Sequence, residues 1–200
     1  MKTNLKTLIV FILFCFATPI TLLAQGSGDC TNAPSMYSWT SAPCITRTIH
    51  FGAPYNKDCE VEICYCYHQN GLVYDIFISS ITFTDEDCAT GISGADVIDA
   101  VMTKLYTEII NVVGLYPCSE YKFAIGEAFF TACVNKVRVP YWDPLSSTWR
   151  YHLMWLPCGT GYCVHSYKFC KNGNQIVIIP NGIFTTGTEE CTGECVPMCQ

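Results

Sequence analysis

The sequence predicts an α+β fold in which one amphipathic helix packs on a mainly antiparallel β-sheet of about six strands, crosslinked by many disulfides. Three observations predict it. Apolar residues recur at helical spacing in one segment, alternating or β-branched segments lie on both sides of it, and 14 of the 15 cysteines follow an N-terminal apolar run. One helix covering one face of an antiparallel sheet buries these apolar surfaces economically.

A β-hairpin is predicted ahead of the helix. In residues 59–68 apolar and polar side chains alternate, which is typical of a half-buried strand. Asn70 and Gly71 follow, the pair best suited to the positive φ angles of a tight hairpin turn. Residues 72–83 are then rich in β-branched and aromatic side chains, as expected for the returning strand.

The helix is predicted over residues 95–113. Ser93 with Asp96 three positions later indicates a helix start of the capping-box kind. Gly114 supplies a left-handed residue at the predicted end, and Pro117 prevents the helix from resuming. The face predicted to be exposed carries Asp99, Lys104, Thr107 and Glu108.

Four more strands are predicted after the helix, at residues 129–139, 150–156, 162–170 and 175–180. An approximate internal similarity accompanies them. The pair Cys59 and Cys66 and the pair Cys163 and Cys170 have the same spacing, and an Asn-Gly turn and an apolar strand follow each pair. Two copies of one cysteine-bordered hairpin and a chance similarity both explain this pattern.

Residues 1–24 have the order of a secretory signal peptide: Lys2 and Lys6, an apolar run, and a small residue at Ala24. Pro19 interrupts the apolar stretch, which leaves it shorter than the roughly 20 residues that span a bilayer. We therefore expect removal of residues 1–24 and no membrane span in the remaining chain. The expected location is secreted, extracellular, or periplasmic and envelope-associated.

The mature chain is expected to be a single disulfide-stapled domain, residues 25–200, with residues 25–58 as an irregular lead-in and residues 186–200 as a Cys-rich tail. An even number of thiols in an oxidising compartment predicts about seven disulfides, with a connectivity that the sequence leaves open. The candidate disulfide residues are Cys30, Cys44, Cys59, Cys64, Cys66, Cys88, Cys118, Cys133, Cys158, Cys163, Cys170, Cys191, Cys195 and Cys199.

Other uses of these cysteines are less well supported by the pattern. Cys64, Cys66 and His68 alternate along one strand, so they lie too far apart to bind one zinc ion together. Acidic neighbours would raise the thiol pKa values that a redox-active pair needs to have lowered. Gly193 and Pro197 oppose the helix that would gather the tail cysteines around a metal. We expect Cys64 and Cys66 to lie on the solvent side, each bridged to a crossing segment.

Catalytic signatures are missing from the sequence, and we assign no catalytic, cofactor-binding or metal-binding residues. The sequence favours a non-enzymatic protein. The alternative is a secreted hydrolase or redox enzyme that uses His68 or His165 with a carboxylate. The acidic run Asp85, Glu86 and Asp87 is interpreted as a solvated turn rather than as a calcium loop.

Aromatic residues are the remaining functional signal. The formal net charge of −6 and the scattered basic residues predict no nucleic-acid partner. Exposed aromatics beside Pro and Gly turns suit a glycan or a protein partner, and unprotected strand edges would permit self-association. The leading hypothesis is a binding module or a surface-assembly subunit. The candidate binding surface consists of Tyr141, Trp142, Trp149, Tyr151 and Trp155.

Overall fold

The computed structural model describes residues 26–187, 191 and 193–199, so the predicted signal peptide lies outside the described residues. Within this part the structure has one α-helix and eight strands in a mainly antiparallel sheet, which confirms the predicted class but exceeds the predicted six strands. The strands are β1 (Thr40–Ser41), β2 (Ile45–Phe51), β3 (Lys57–Asn70), β4 (Val73–Phe83), β5 (Ala124–Asp143), β6 (Thr148–Asn172), β7 (Gln175–Thr186) and β8 (Val196–Pro197).

The strand count differs from the prediction because β1, β2 and β8 were not predicted, whereas two predicted strands are joined into one. Strand β2 lies in the segment predicted to be an irregular lead-in, where Ile49 and Phe51 alternate with exposed residues and face the core. The predicted strands 150–156 and 162–170 are one continuous strand, β6. Pro157 does not end this strand, and the positive φ of Gly159, +89°, accommodates the change in its course.

The helix α1 (Gly94–Ile109) begins as predicted and ends earlier than predicted. The Ser93 hydroxyl accepts a hydrogen bond from the Asp96 backbone N–H at 3.1 Å and donates one to the Asp96 carboxylate at 2.7 Å. Residues 110–113 are not helical in the same run, because Val112–Gly114 forms a separate 3₁₀ turn. The buried face of α1 carries Val97, Ile98, Val101, Met102, Leu105 and Tyr106.

Two hairpins have the same construction. The β3–β4 turn places Gly71 at φ +60° and the β6–β7 turn places Gly173 at φ +61°. Each hairpin has an irregularity in its strand register, and the two irregularities lie at the same distance from their turns, just before Tyr65 and just before Tyr167. The cysteines, however, do not occupy matching places, since Cys66 lies four residues before its turn Asn and Cys170 lies two before its own.

The sheet has apolar side chains on both faces. Helix α1 covers the larger core, whereas a smaller cluster on the opposite face contains Cys66, Phe77 and Phe129. Tyr37 and Trp39 of the segment before β1 pack over this second cluster. Cys66 is therefore fully buried, which corrects its predicted solvent-side position.

The long β5–β6 hairpin changes its position relative to β4 along its length. Near its start, β5 pairs in parallel with β4, at Ile76 opposite Ala128. Near the end of β4, it is β6 that pairs with it, at Ile81 opposite Trp155. The strand next to β4 is therefore β5 at one end of β4 and β6 at the other end. Beyond the end of β4 the hairpin continues without this neighbour.

All 14 candidate cysteines form seven disulfides. Three of these bonds connect the tail to β5 and β6 around the strand exchange, and β8 adds a short pairing with β5 there. The tail is thus crosslinked to β5 and β6 in the region where they exchange places beside β4. The pairs are Cys30–Cys66, Cys44–Cys64, Cys59–Cys88, Cys118–Cys170, Cys133–Cys191, Cys158–Cys195 and Cys163–Cys199.

Candidate functional site

The end of the β5–β6 hairpin, residues 139–152, extends beyond β4, and we call it the hairpin tip. Pairing between β4 and β6 ends at Phe83 opposite Leu153. One residue further, a ring nitrogen of His152 is 3.0 Å from the Thr84 carbonyl oxygen, which fixes the base of the tip. Beyond this point β6 pairs with β5 alone, so a gap opens between the tip and the residues after Thr84.

This gap is a cleft of about 410 Å³. One wall is the acidic loop, Asp85 to Asp87, and the other is the hairpin tip, with Tyr141 from β5 and residues 149–151 from β6. We call it the aromatic cleft, and its lining residues are Asp85, Glu86, Asp87, Tyr141, Trp149, Arg150 and Tyr151. Its volume lies in the range typical of small-ligand sites, roughly 300–1,000 Å³.

The aromatic rings of the tip are both exposed and fixed. The Trp142 and Trp149 side chains are 51% and 64% exposed, and their ring centroids lie 5.7 Å apart in an edge-to-face arrangement. Tyr141 stacks on His152 with centroids 4.1 Å apart and nearly parallel planes. Because the two strands place these rings in register, a ligand would meet a surface that is already organised.

Ion pairs fix the charged groups around the cleft. Arg138 donates from Nη2 to the Glu86 carboxylate at 2.6 Å, which raises the pKa of the Arg138 guanidinium. The same guanidinium lies 4.3 Å from the centroid of the Tyr151 ring. Arg150 pairs with Asp143 at 3.2 Å. The acidic loop, interpreted from sequence as a solvated turn, is therefore tied to the hairpin.

Of the five residues predicted for a binding surface, four lie at the tip and Trp155 does not. The Trp155 side chain is fully buried and packs on Phe83, with ring centroids 5.4 Å apart. The Lys136 ammonium lies 4.5 Å from the Trp155 ring centroid, and burial lowers the pKa of Lys136. Successive side chains of β6 point to opposite faces of the sheet. The Trp155 side chain points to the face on which it packs against Phe83 of β4, and it is therefore a core residue.

His165, one of the two alternative catalytic residues, does have a carboxylate partner. Its Nδ1 lies 2.8 Å from Asp99 Oδ1, and the Tyr167 hydroxyl donates to the same oxygen at 2.7 Å. Asp99 was predicted to lie on the exposed face of the helix, and its side chain is 44% exposed while one of its oxygens contacts these two residues of β6. The His165 side chain is only 1% exposed, so a substrate in solution does not reach its ring.

His68, the other alternative, contacts the segment before β1. Its Nδ1 lies 3.2 Å from the Ser38 carbonyl oxygen, and its ring stacks on Tyr37 with centroids 4.9 Å apart. The neighbouring Cys64 and Cys66 are both in disulfides. Within the described part of the chain, no three His, Cys, Asp or Glu side chains are grouped as metal ligands.

The aromatic cleft offers three kinds of contact to a ligand. Trp149 and Tyr151 provide apolar ring surfaces, the acidic loop provides hydrogen-bond acceptors, and Arg150 provides donors. The clustering of the rings in the sequence indicated a binding surface, but nothing in the sequence indicated that the acidic loop lies opposite them. The acidic loop and the rings lie far apart in the chain, so no local sequence pattern connects them. Only the pairing of β4 with β6 brings them together.

Among the residues that the structure describes, no helix combines the length and the apolarity that a bilayer crossing requires. Comparison of this chain with models of protein families, with curated proteins and with solved structures found no match in any of the three.

Proposed function

We propose that this chain is exported and acts as a non-enzymatic binding protein whose aromatic cleft binds carbohydrate. Export is supported by the signal-peptide pattern of residues 1–24 together with seven disulfides, which persist in oxidising compartments. The corresponding location is secreted, extracellular, or periplasmic and envelope-associated. We further propose that residues 25–200 act as one domain.

The observation that carries the carbohydrate proposal is the exposed Trp142–Trp149 pair, which lies beside a cleft lined by carboxylates and by an arginine. A sugar ring has an apolar face that packs on an aromatic ring, and hydroxyls that need donors and acceptors. The cleft is concave and small. A protein partner would instead use a flatter area of about 800 Å² on each side.

The test is a screen of the mature protein on an array of glycans, followed by calorimetric titration of the best oligosaccharide. Trp149→Ala is expected to weaken binding at least about tenfold, because it removes a large ring from the cleft. Leu145→Ala is the matched control, since Leu145 is 97% exposed at the same tip but does not line the cleft. Binding of a protein and of no glycan would contradict the proposal.

A second candidate function, a subunit of a surface assembly, is favoured by the edge strand β7. Among the described residues β7 pairs with β6 only, and Gln175–Thr186 contains no charged residue. Ile183 and Phe184 are 49% and 44% exposed. Uncharged, apolar edge strands favour pairing with another strand, whereas the kink at Pro180 and Gly182 opposes a long continuous pairing.

Sedimentation and electron microscopy of the mature protein test the assembly candidate. If β7 mediates self-association, the protein forms dimers or filaments and Ile183→Lys returns it to the monomer, because a charge is placed on the edge. Monomers at all concentrations would remove this candidate without affecting the carbohydrate proposal.

The enzymatic alternative has less support than either binding function. It needs a histidine that a substrate can touch, and His165 is only 1% exposed, while a ring nitrogen of His68 contacts a main-chain carbonyl. The His165–Asp99–Tyr167 cluster is better explained as a polar connection between the helix and the sheet.

A further inference from the structure

The charged side chains of the aromatic cleft are unequal in number. Three carboxylates, those of Asp85, Glu86 and Asp87, line the cleft, whereas Arg150 is the only basic side chain among its described lining residues. A carbohydrate that enters the cleft meets whichever of these groups has no partner within the protein. The pairing of the charged groups therefore determines whether a neutral, an acidic or a basic glycan fits best.

Both arginines at the cleft already have carboxylate partners. Arg150 pairs with Asp143 at 3.2 Å, and Arg138 donates to the Glu86 carboxylate at 2.6 Å. The Glu86 hydrogen bond is the main cause of the raised pKa of Arg138, and the charge of Asp87 is the smallest. An acidic sugar would have to displace one of these carboxylates before it could pair with an arginine.

Asp85 and Asp87 offer carboxylate oxygens that a ligand can reach. Both residues are exposed and both line the cleft. Asp85 Oδ1 accepts a hydrogen bond from the Asp87 backbone N–H at 3.0 Å, but across the described residues neither carboxylate forms an ion pair. The Lys57 ammonium is close by, but it donates to the carbonyl oxygens of Asp87 and Thr90, at 3.4 and 3.0 Å, and does not line the cleft.

The aromatic wall places a sugar close to these two carboxylates. Trp149 is 64% exposed, and it lines the same cleft of about 410 Å³ as the acidic loop. A sugar ring that packs its apolar face on the Trp149 indole therefore brings the substituents of a short glycan within reach of Asp85 and Asp87. The ring provides contact area, and the carboxylates act on the charge of the substituents.

On the basis of the carbohydrate function proposed above, we propose that the aromatic cleft selects glycans that carry free amino groups, through the Trp149 ring and the carboxylates of Asp85 and Asp87. An ammonium group has three N–H donors and a positive charge, so it can bond to both carboxylates. A neutral hydroxyl or acetamide group donates to a carboxylate but leaves its charge uncompensated. A sugar carboxylate would be repelled by the acidic loop.

The experiment is a set of calorimetric titrations of the full mature protein with four tetrasaccharides of the same linkage, built from glucosamine, N-acetylglucosamine, glucose and glucuronic acid. The first three differ in one substituent on each ring, which is an ammonium, an acetamide or a hydroxyl group below the pKa of the sugar amine. The glucosamine tetrasaccharide is expected to bind at least about fivefold more tightly than the two neutral ones, since it alone supplies charged donors. The glucuronic acid tetrasaccharide should bind most weakly.

Three variants complete the test. Asp87→Asn and Asp85→Asn should each weaken binding of the glucosamine tetrasaccharide about threefold and leave the affinity for the glucose tetrasaccharide unchanged, because each removes a charge but keeps a polar group of the same shape. Glu60→Gln is the matched control. Glu60 is exposed, its carbonyl oxygen accepts from the Thr84 N–H at 3.1 Å, and it does not line the cleft. This variant should bind as the unmodified protein does.

The selection of amino sugars is overturned if the glucose tetrasaccharide binds as tightly as the glucosamine one. It is also overturned if Glu60→Gln weakens glucosamine binding as much as Asp87→Asn does, since the net charge of −6 would then attract any cationic glycan. Neutral tetrasaccharides that bind, and that Trp149→Ala weakens, would leave the carbohydrate function standing without this selection. If none of the four tetrasaccharides binds, the selection is overturned, and the glycan array alone decides the carbohydrate function.

Discussion

The two ends of the β5–β6 hairpin differ in burial and in crosslinking. At the base, Trp155 is fully buried and Cys133, Cys158 and Cys163 are bonded to the tail. At the tip, residues 139–152 carry no disulfide and expose large rings such as Trp149. The same two strands thus provide a crosslinked scaffold and an exposed surface, so substitutions at the base should alter stability and substitutions at the tip should alter binding.

The largest effect is expected from Trp155→Ala. This substitution removes a fully buried ring that packs on Phe83, and cavities of this kind cost about 3–5 kcal/mol of unfolding free energy. Denaturant unfolding monitored by circular dichroism measures the cost. A loss below about 1 kcal/mol would contradict the placement of Trp155 in the core.

A smaller loss is expected when one tail crosslink is removed. The double variant Cys163→Ala with Cys199→Ala opens a disulfide with a sequence separation of 36, and should cost about 2–4 kcal/mol because the unfolded chain gains freedom. The unfolding free energy measures this effect, and glycan affinity at a temperature where the variant is folded should be unchanged. Lost affinity in the folded variant would show that the tip depends on the base.

Asp99→Asn should reduce stability in a pH-dependent way. Burial raises the pKa of the Asp99 carboxyl, but the hydrogen bonds from His165 and Tyr167 outweigh burial and hold the pKa below its ordinary value of 3.8. A lowered folded-state pKa stabilises the protein above pH 3.8, and this stabilisation is lost as the pH falls through the folded value. Unfolding free energies of both proteins should therefore differ at neutral pH and converge in acid.

Equal differences at all pH values would contradict this account of Asp99. The matched control is Asp96→Asn, in which the neighbouring carboxylate of the same helix turn is changed but the contact with His165 is retained.

The smallest effect on stability is expected from Trp149→Ala. Because Trp149 is 64% exposed, its removal should change the unfolding free energy by no more than about 0.5 kcal/mol. The comparison with Trp155→Ala is direct, since both tryptophans lie on β6. A large loss of stability on removal of Trp149 would show that the tip belongs to the core.

Much of the fold followed from local patterns in the sequence. The spacing of Val97, Val101 and Leu105 indicated the helix, and Ser93 with Asp96 marked its start. The Asn-Gly pairs marked the positions of both hairpin turns, although only Gly71 and Gly173 have a positive φ and each Asn ends its strand. These features depend on neighbouring residues, so a single sequence contains the information needed to predict them.

Features that depend on distant pairings were not predicted. Cys66 was expected to face solvent, but the segment that contains Cys30 and Trp39 packs over the second face of the sheet and helps to bury it. Trp155 and Trp149 lie on one strand with similar neighbours, and the pairing of β6 with β4 decides which of them is buried.

The most direct test of the proposed function is an NMR titration that follows the indole N–H signals of the four tryptophans while the selected oligosaccharide is added. The account predicts that the signals of Trp142 and Trp149 at the hairpin tip shift, and that the signal of the buried Trp155 stays in place. Unchanged signals for Trp142 and Trp149, with a shift of Trp39 or Trp155 instead, would contradict it.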